Sequence, residues 1–190
     1  MSWFRRRKRA GALDKLSGAS WRCATCGDDH RGMFDLGAFA PDHWGETEER
    51  EPNSALRLEG DFLSEDFCVI GGENFFIRCV FEIPVHGLAD KFGYGCWSTL
   101  SKENFQRYVD QFDAGDYGGD GPWFGWFSNR LRGFEDTLNQ ACWVYPQLDR
   151  QRPTLVLEDP DHELSLAQEH GIAPERVLEL YSAYGHGPNA

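Results

Sequence analysis

The fold is decided by the stretch that runs from Phe75 to Val85, FFIRCVFEIPV. Every second residue from 75 to 85 is apolar, whereas the residues between them are of mixed polarity. A period of two is typical of a strand with one buried face. Pro84 lacks an N–H group, which places this end of the strand at a sheet edge or a bulge. The stretch therefore predicts a long, half-buried antiparallel strand.

Further elements are predicted on both sides of this strand. Phe67 to Ile70 is expected to be a strand, joined to it by a Gly71-Gly72 hairpin turn, and Tyr94 to Leu100 a third. Ser101 has the properties of a helix N-cap, and the apolar residues that follow have helical spacing. The other predicted elements are a helix at 102–112, a short aromatic segment at 123–127, strands at 138–148 and 154–157, and helices at 162–170 and 174–184. This order predicts an α+β fold, an antiparallel sheet with a few short helices.

The length of 190 residues predicts one domain. Residues 1–20 are first basic and then rich in Gly, Ala and Ser, which predicts a basic flexible tail. No long linker interrupts the patterned sequence that begins at Trp21, so residues 21–190 are expected to form a single α+β domain.

Charge is distributed unevenly. The formal net charge is -12, but Arg5 to Arg9 form a run of five basic residues. Without this run the chain has 14 basic and 31 acidic residues, a net charge of -17. A body this acidic repels phosphate backbones, so no nucleic acid is expected to bind it, whereas a basic protein partner is favoured. The basic run itself predicts only a weak, salt-sensitive contact with anionic lipid or RNA.

The sequence predicts a cytoplasmic protein. The residues after the basic run are too short and too charged for the apolar core of a signal peptide, and no stretch approaches the ~20 apolar residues of a membrane span. A chain of this size folds without disulfides, so the six cysteines are interpreted as reduced thiols.

The sharpest chemical feature is Cys23-Ala-Thr-Cys26-Gly27, followed by His30. Two thiolates separated by two residues can bind one ion, and the glycine lets the backbone turn its N–H groups toward the sulfurs. A histidine four residues later can reach the same ion. Thiolate and imidazole ligands suit zinc, so this segment predicts an N-terminal zinc-knuckle-like turn.

The fourth ligand of this predicted site stays open. Cys68, next to the Gly-Gly hairpin, is the preferred remote ligand, His43 is nearer in sequence, and a water molecule would give an open site. The competing interpretation is a pair of packed thiols with no metal. A redox dithiol is less favoured, because such a motif usually opens a helix after a strand.

Motifs spread along the chain resemble the uncharacterised bacterial family known as domain of unknown function 2199 (DUF2199). The resemblance covers about residues 21–184 and implies a domain extent, no assigned activity, and the Cys-Cys-His set as a recurring feature. It is carried by these stretches: Cys23-Ala-Thr-Cys26-Gly27 with His30, Ala40-Pro41-Asp42-His43-Trp44, Cys68-Val69-Ile70, Phe75-Phe76-Ile77-Arg78, Glu82-Ile83-Pro84-Val85, Trp97-Ser98-Thr99-Leu100-Ser101, Phe124-Gly125-Trp126, Asp136-Thr137-Leu138, Arg152-Pro153 and Asp161-His162.

Three hypotheses about function follow from these patterns. The first is a non-enzymatic binding or regulatory domain with a structural zinc knuckle, in which metal bonds replace a local core. The second is a zinc-dependent hydrolase with an open metal site, where a carboxylate such as Glu73 or Asp161 assists a metal-bound water. The third is a metal-free protein-binding domain.

Overall fold

The computed structural model of the protein describes residues 11–45, 49–117 and 119–188. The basic run Arg5 to Arg9 lies outside the described residues. The strands are β1 (Ser20–Arg22), β2 (Asp29–Arg31), β3 (Leu36–Gly37), β4 (Phe62–Leu63), β5 (Phe67–Ile70), β6 (Asn74–Pro84), β7 (Lys91–Leu100), β8 (Trp123–Trp126), β9 (Ala141–Tyr145) and β10 (Thr154–Leu157). The helices are α1 (residues 11–16), α2 (Lys102–Phe112), α3 (Glu163–His170) and α4 (Pro174–Ala183), with a 3-10 turn at Asn53–Ala55.

These elements form a small hairpin and a larger sheet. β1 and β2 make an antiparallel pair, and the larger sheet has the strand order β3-β7-β6-β10-β9-β8. β5 pairs with the first half of β6, and β4 pairs with β5. The predicted α+β architecture, a sheet with a few short helices, is confirmed.

The stretch that predicted the sheet forms its long central strand. Along β6 the side chains at 75, 77, 79, 81 and 83 are all nearly inaccessible, whereas those at 78, 80 and 82 are only half-buried. β6 pairs with β7 over ten residue pairs, from Phe75↔Leu100 to Pro84↔Lys91. The period of two thus reports a real difference between the faces of the strand. Pro84 ends β6, as its missing N–H group predicts.

The larger sheet is mixed rather than purely antiparallel. β3 runs parallel to β7, and β10 runs parallel to β6 at Thr154↔Val80, while the other pairings are antiparallel. The sequence pattern did not reveal the parallel pairs because side-chain alternation reports burial and not the direction of the neighbouring strand.

Helix α2 covers the main core. It begins after Ser101, whose hydroxyl accepts a hydrogen bond from the N–H of Asn104 at 3.2 Å. Its buried residues Phe105 and Tyr108 pack edge-on against Phe67, with ring centroids 5.9 and 6.1 Å away. The helix therefore buries its apolar stripe on the sheet, as its spacing predicts. None of the helices among the described residues has the length and apolar composition that a bilayer crossing needs.

The larger sheet curves so that β8, the last strand in its order, lies next to β7. Ser98 bridges Phe127, the N–H of Ser128 donates to the carbonyl of Trp97 at 2.8 Å, and the N–H of Trp126 donates to Oγ1 of Thr99 at 2.9 Å. At Gly125 a Cβ atom would overlap the carbonyl oxygen of Thr99 and the hydroxyl of Ser98. Glycine is therefore required where the two strands approach each other.

We expect Gly125→Ala to lower the free energy of unfolding by about 2–3 kcal/mol, because the added methyl group would push β8 away from the backbone of β7. Urea denaturation measures the change. Gly45→Ala is the matched control, since a Cβ at Gly45 meets nothing within 4 Å, and its stability should change by less than about 0.5 kcal/mol. Equal effects of the two substitutions would contradict the described closure.

The predicted boundary of the tail, residue 20, falls inside the described structure. Residues 11–16 are helical, and Ala12 and Leu16 are 3% and 4% exposed. Leu16 belongs to the same core cluster as the central strands. Ordered structure therefore begins before the first patterned residue, Trp21.

Candidate metal centre

The two cysteines lie in the connection between β1 and β2. The strands pair through Trp21↔His30 and Arg22↔Asp29, and the N–H of Cys23 donates to the carbonyl of Asp28 at 2.8 Å. Gly27 has a φ of 75°, in the left-handed region that glycine adopts without strain. The hairpin thus brings His30 back alongside the cysteines.

Backbone N–H groups face the sulfur atoms, as the glycine predicts. The N–H of Thr25 lies 3.4 Å from Sγ of Cys23. Burial raises the pKa of the Cys23 thiol, but hydrogen bonds from the N–H groups of Cys26 and Thr25 and from the side chains of Cys26 and His30 together lower the pKa to about 7. The N–H of Asp28 lowers the pKa of Cys26, but the adjacent Cys23 sulfur has the opposite effect and the net pKa is raised. The turn therefore favours a thiolate at Cys23, the form that binds metals.

The fourth residue of the candidate site, His186, belongs to the segment after α4. After α4 the backbone folds back onto the cysteine turn, where the N–H of Ala24 donates to the carbonyl of Gly187 at 2.9 Å and Cys23 bridges Pro188. The N–H of His186 donates to the carbonyl of Tyr181 at 2.7 Å. These contacts hold the His186 side chain over the turn.

Cys23, Cys26, His30 and His186 form one cluster. Each offers one ligand atom, and the four atoms lie within 4.8 Å of one another. Cys23 is buried, the two histidines are half-buried, and Cys26 is exposed. Two thiols and two imidazoles are a common ligand set for zinc in proteins, so this group can hold a metal ion.

Two observations test whether a metal fits the cluster. Sγ of Cys26 lies 3.5 Å from Nε2 of His30, and a tetrahedral zinc with bonds of about 2.3 Å to sulfur and about 2.0 Å to nitrogen separates such atoms by about 3.5 Å. Nδ1 of His186 is buried and has no hydrogen-bond partner among the described residues. A buried nitrogen without a partner is costly. A bound cation would supply that partner, so the residues fit a metal.

A layer of aromatic rings packs beneath the Cys2His2 cluster. Trp21 lies 4.8 Å from the His30 ring, and the rings of Phe34 and Tyr181 stack at 4.0 Å. The Tyr181 hydroxyl accepts from the N–H of Phe34 at 2.8 Å and donates to its carbonyl at 2.6 Å. Apolar packing therefore joins the hairpin to α4 beneath the cluster, although the sequence suggested little local core here.

The structure brings together Cys23, Cys26 and His30 of the predicted ligands, and not Cys68 or His43. Cys68 lies in β5 with no exposed surface, inside a second core cluster formed with Leu63, Phe76 and Trp97. Burial raises the pKa of its thiol to about 12, which opposes the thiolate a metal needs. His43 stacks on Phe76 at 6.1 Å.

His186 is the residue that sequence reasoning missed. All strands of the larger sheet lie between the cysteine turn and His186 in the sequence, so no local spacing of residues links the two. The available signal was Gly185-His186-Gly187 after the last predicted helix, a histidine between two turn-forming residues. At Gly187 a Cβ would overlap the hydroxyl of Ser182, so the tight return that presents His186 requires glycine.

Fold and site together define a small α+β protein with a Cys2His2 cluster that can hold a metal ion. Residues 22–172 match the family model described as "Uncharacterized protein conserved in bacteria (DUF2199)", and the chain belongs to this family. The resemblance inferred from the sequence motifs is thereby confirmed. The matched residues include Cys23, Cys26 and His30 and end before His186. No match was found among curated proteins or among solved structures.

Proposed function

We propose that this protein is a non-enzymatic binding domain of the bacterial cytoplasm, held at one end by a structural zinc ion on Cys23, Cys26, His30 and His186. The observation that carries the proposal is the convergence of four protein ligand atoms within 4.8 Å. Four protein ligands fill a tetrahedral zinc shell, which is the arrangement of structural sites.

The proposed zinc would connect two parts of the chain that are distant in sequence. Cys23, Cys26 and His30 belong to the β1–β2 hairpin, whereas His186 follows α4. The aromatic layer already packs these parts together, and the hydrogen bond from Ala24 to Gly187 adds one backbone contact. Metal bonds would therefore fix the C-terminal segment against the hairpin.

A zinc hydrolase would need a different arrangement. Its metal keeps one position for water, with a base close by. The two carboxylates predicted to assist a metal-bound water are not among the four ligand residues: Glu73 precedes β6 and Asp161 precedes α3. The four-ligand cluster therefore supports a structural role over an open catalytic site.

The charge supports a basic protein as the partner. The net charge of -12 favours encounter with a positively charged surface and disfavours nucleic acid. Attraction of this kind weakens as salt is added. All six cysteines are free, so Cys23 and Cys26 are available as metal ligands.

Elemental analysis of the purified protein tests the proposed site. We expect about one zinc per chain, and we expect Cys23→Ser to lose it because a thiolate ligand is removed. Cys68→Ser is the matched control and should keep its zinc. Circular dichroism checks that this variant keeps the wild-type fold, since Cys68 is fully buried.

Two results would contradict the zinc proposal. Loss of zinc from folded Cys68→Ser would restore Cys68 as a ligand. Absence of any metal from the wild-type protein, prepared in zinc-supplemented medium, would favour a metal-free binding domain.

A further inference from the structure

The two cysteines of the metal cluster form a close pair. Residues 24–26 form the turn between them, and the side chains of Cys23 and Cys26 hydrogen-bond each other. Their sulfur atoms lie within the 4.8 Å span of the cluster. Cysteines separated by two residues can close a disulfide inside one turn, as they do in proteins with a reactive Cys-x-x-Cys motif. The pair can therefore react with itself as well as bind a metal.

The two cysteines differ in their access to solvent. Cys26 is exposed, whereas Cys23 beside it is only 2% exposed. A small oxidant in solution therefore meets Cys26 first. Cysteines that respond to oxidants have an accessible thiolate next to a second, resolving cysteine. Because metal ligation deprotonates both sulfurs, Cys26 and Cys23 fit these two roles.

The other four cysteines are shielded from oxidants. None of them has exposed surface: Cys68, Cys79, Cys96 and Cys142. Burial raises the pKa of the Cys68 thiol to about 12 and that of the Cys142 thiol to about 11, and it also raises the pKa of the other two thiols. Protonated, buried thiols are inert. Oxidation is therefore directed to the cysteine pair of the cluster.

Oxidation of this pair would remove half of the ligand set. Only the imidazoles of His30 and His186 would remain, too few for the tetrahedral shell of zinc. Nδ1 of His186 is buried without a hydrogen-bond partner among the described residues, so loss of the cation would leave an unpaired nitrogen at a cost in free energy. The segment after α4 would keep backbone contacts such as that of Ala24 with Gly187, but it would lose its metal bond.

We propose that Cys23 and Cys26 are a peroxide-sensitive pair, whose oxidation to a disulfide releases the zinc and loosens the segment after α4. The inference rests on the proposed function, because it assigns a regulation to the same site. The Cys26 thiolate attacks one oxygen of hydrogen peroxide, the O–O bond breaks, and a sulfenic acid and hydroxide form. The Cys23 thiolate then displaces a second hydroxide from that sulfur and closes the disulfide. The two sulfurs supply the two electrons that reduce the peroxide.

The test treats the full, zinc-loaded chain with hydrogen peroxide. A chromophoric chelator follows zinc release, and thiols are counted after denaturation. We expect two of the six thiols to be lost for each zinc released, and peptide mapping to place the disulfide between Cys23 and Cys26. Hydrogen exchange should become faster in residues 184–188 and stay unchanged in β6. A dithiol reductant with added zinc should reverse these changes.

Cys26→His separates disulfide formation from metal binding. This variant keeps four ligands, since an imidazole replaces the thiolate, but it cannot form the disulfide. We expect peroxide to release its zinc at least about tenfold more slowly than that of the wild type. The matched control is Cys68→Ser, which removes a thiol outside the cluster and should release zinc at the wild-type rate.

The outcomes distinguish this inference from the proposed function. Wild-type protein that keeps its zinc and all six thiols, at a peroxide concentration that oxidises a free dithiol, would overturn the inference and leave the structural zinc site intact. A disulfide to any other cysteine, or equal release rates in zinc-loaded Cys26→His and the wild type, would also overturn the inference alone. A wild-type protein that binds no zinc would overturn the proposed function and the release together.

Discussion

His186→Ala is expected to weaken zinc binding by at least about 100-fold, because loss of an outer-shell partner already costs about 10- to 100-fold and this change removes a ligand. Competition with a chromophoric chelator measures the affinity. Hydrogen exchange should also become faster in residues 20–31, whose contacts with the C-terminal segment would be lost, while β6 and β7 keep their protection.

The matched control is His43→Ala. His43 is an exposed histidine, and it stacks on Phe76 outside the metal cluster. We expect its zinc affinity to equal that of the wild type. Equal zinc affinities in His186→Ala and the wild type would contradict the proposed ligand set, and the chain would then need another fourth ligand.

Phe81→Ala is expected to lower the free energy of unfolding by about 3–5 kcal/mol, because it leaves a cavity in a packed core. Phe81 has no exposed surface, lies at the middle of β6 and contacts the ring of Phe127 edge-on at 6.0 Å. Urea denaturation measures this change in the free energy of unfolding. The slope of that free energy against urea concentration should be the same as in the wild type.

Phe124→Ala is the control for this substitution. The same side chain is removed, but Phe124 is 40% exposed on the outer face of β8, so the loss should be below about 1.5 kcal/mol. A small loss at Phe81, or losses of equal size at both positions, would show that β6 does not occupy the centre of the core.

The local elements of the fold could be predicted from the sequence because their patterns are short-range. The predicted strands 67–70 and 154–157 and the predicted helix 102–112 have the bounds that the structure shows. Strand β9 is shorter than predicted, because Leu138 and Leu148 belong to loops on either side of it. The parallel partners of β6 and β7 could not be predicted, since chain segments far apart in sequence supply them.

The aromatic segment at 123–127 illustrates the limit of composition as a guide. Trp123 and Phe127 are buried, whereas Phe124 and Trp126 are 40% and 46% exposed. The strand alternates, so a run of large aromatic residues divides between the core and the outer face.

Three of the four residues of the candidate site could be predicted from the sequence. Cys23, Cys26 and His30 lie within one hairpin, so their spacing alone brings them together. His186 depends on the return of the chain after α4, which is a property of the tertiary fold. The position of Cys68 near a hairpin predicts a remote ligand, but burial among apolar side chains gives Cys68 a packing role instead.

X-ray absorption at the zinc edge tests the central claim most directly. The proposed site predicts about two sulfur ligands near 2.3 Å and about two imidazole nitrogens near 2.0 Å, with one nitrogen lost in His186→Ala. A wild-type spectrum with three sulfurs, or with an oxygen in place of the second imidazole, would contradict the assignment of His186 and with it the closed structural site.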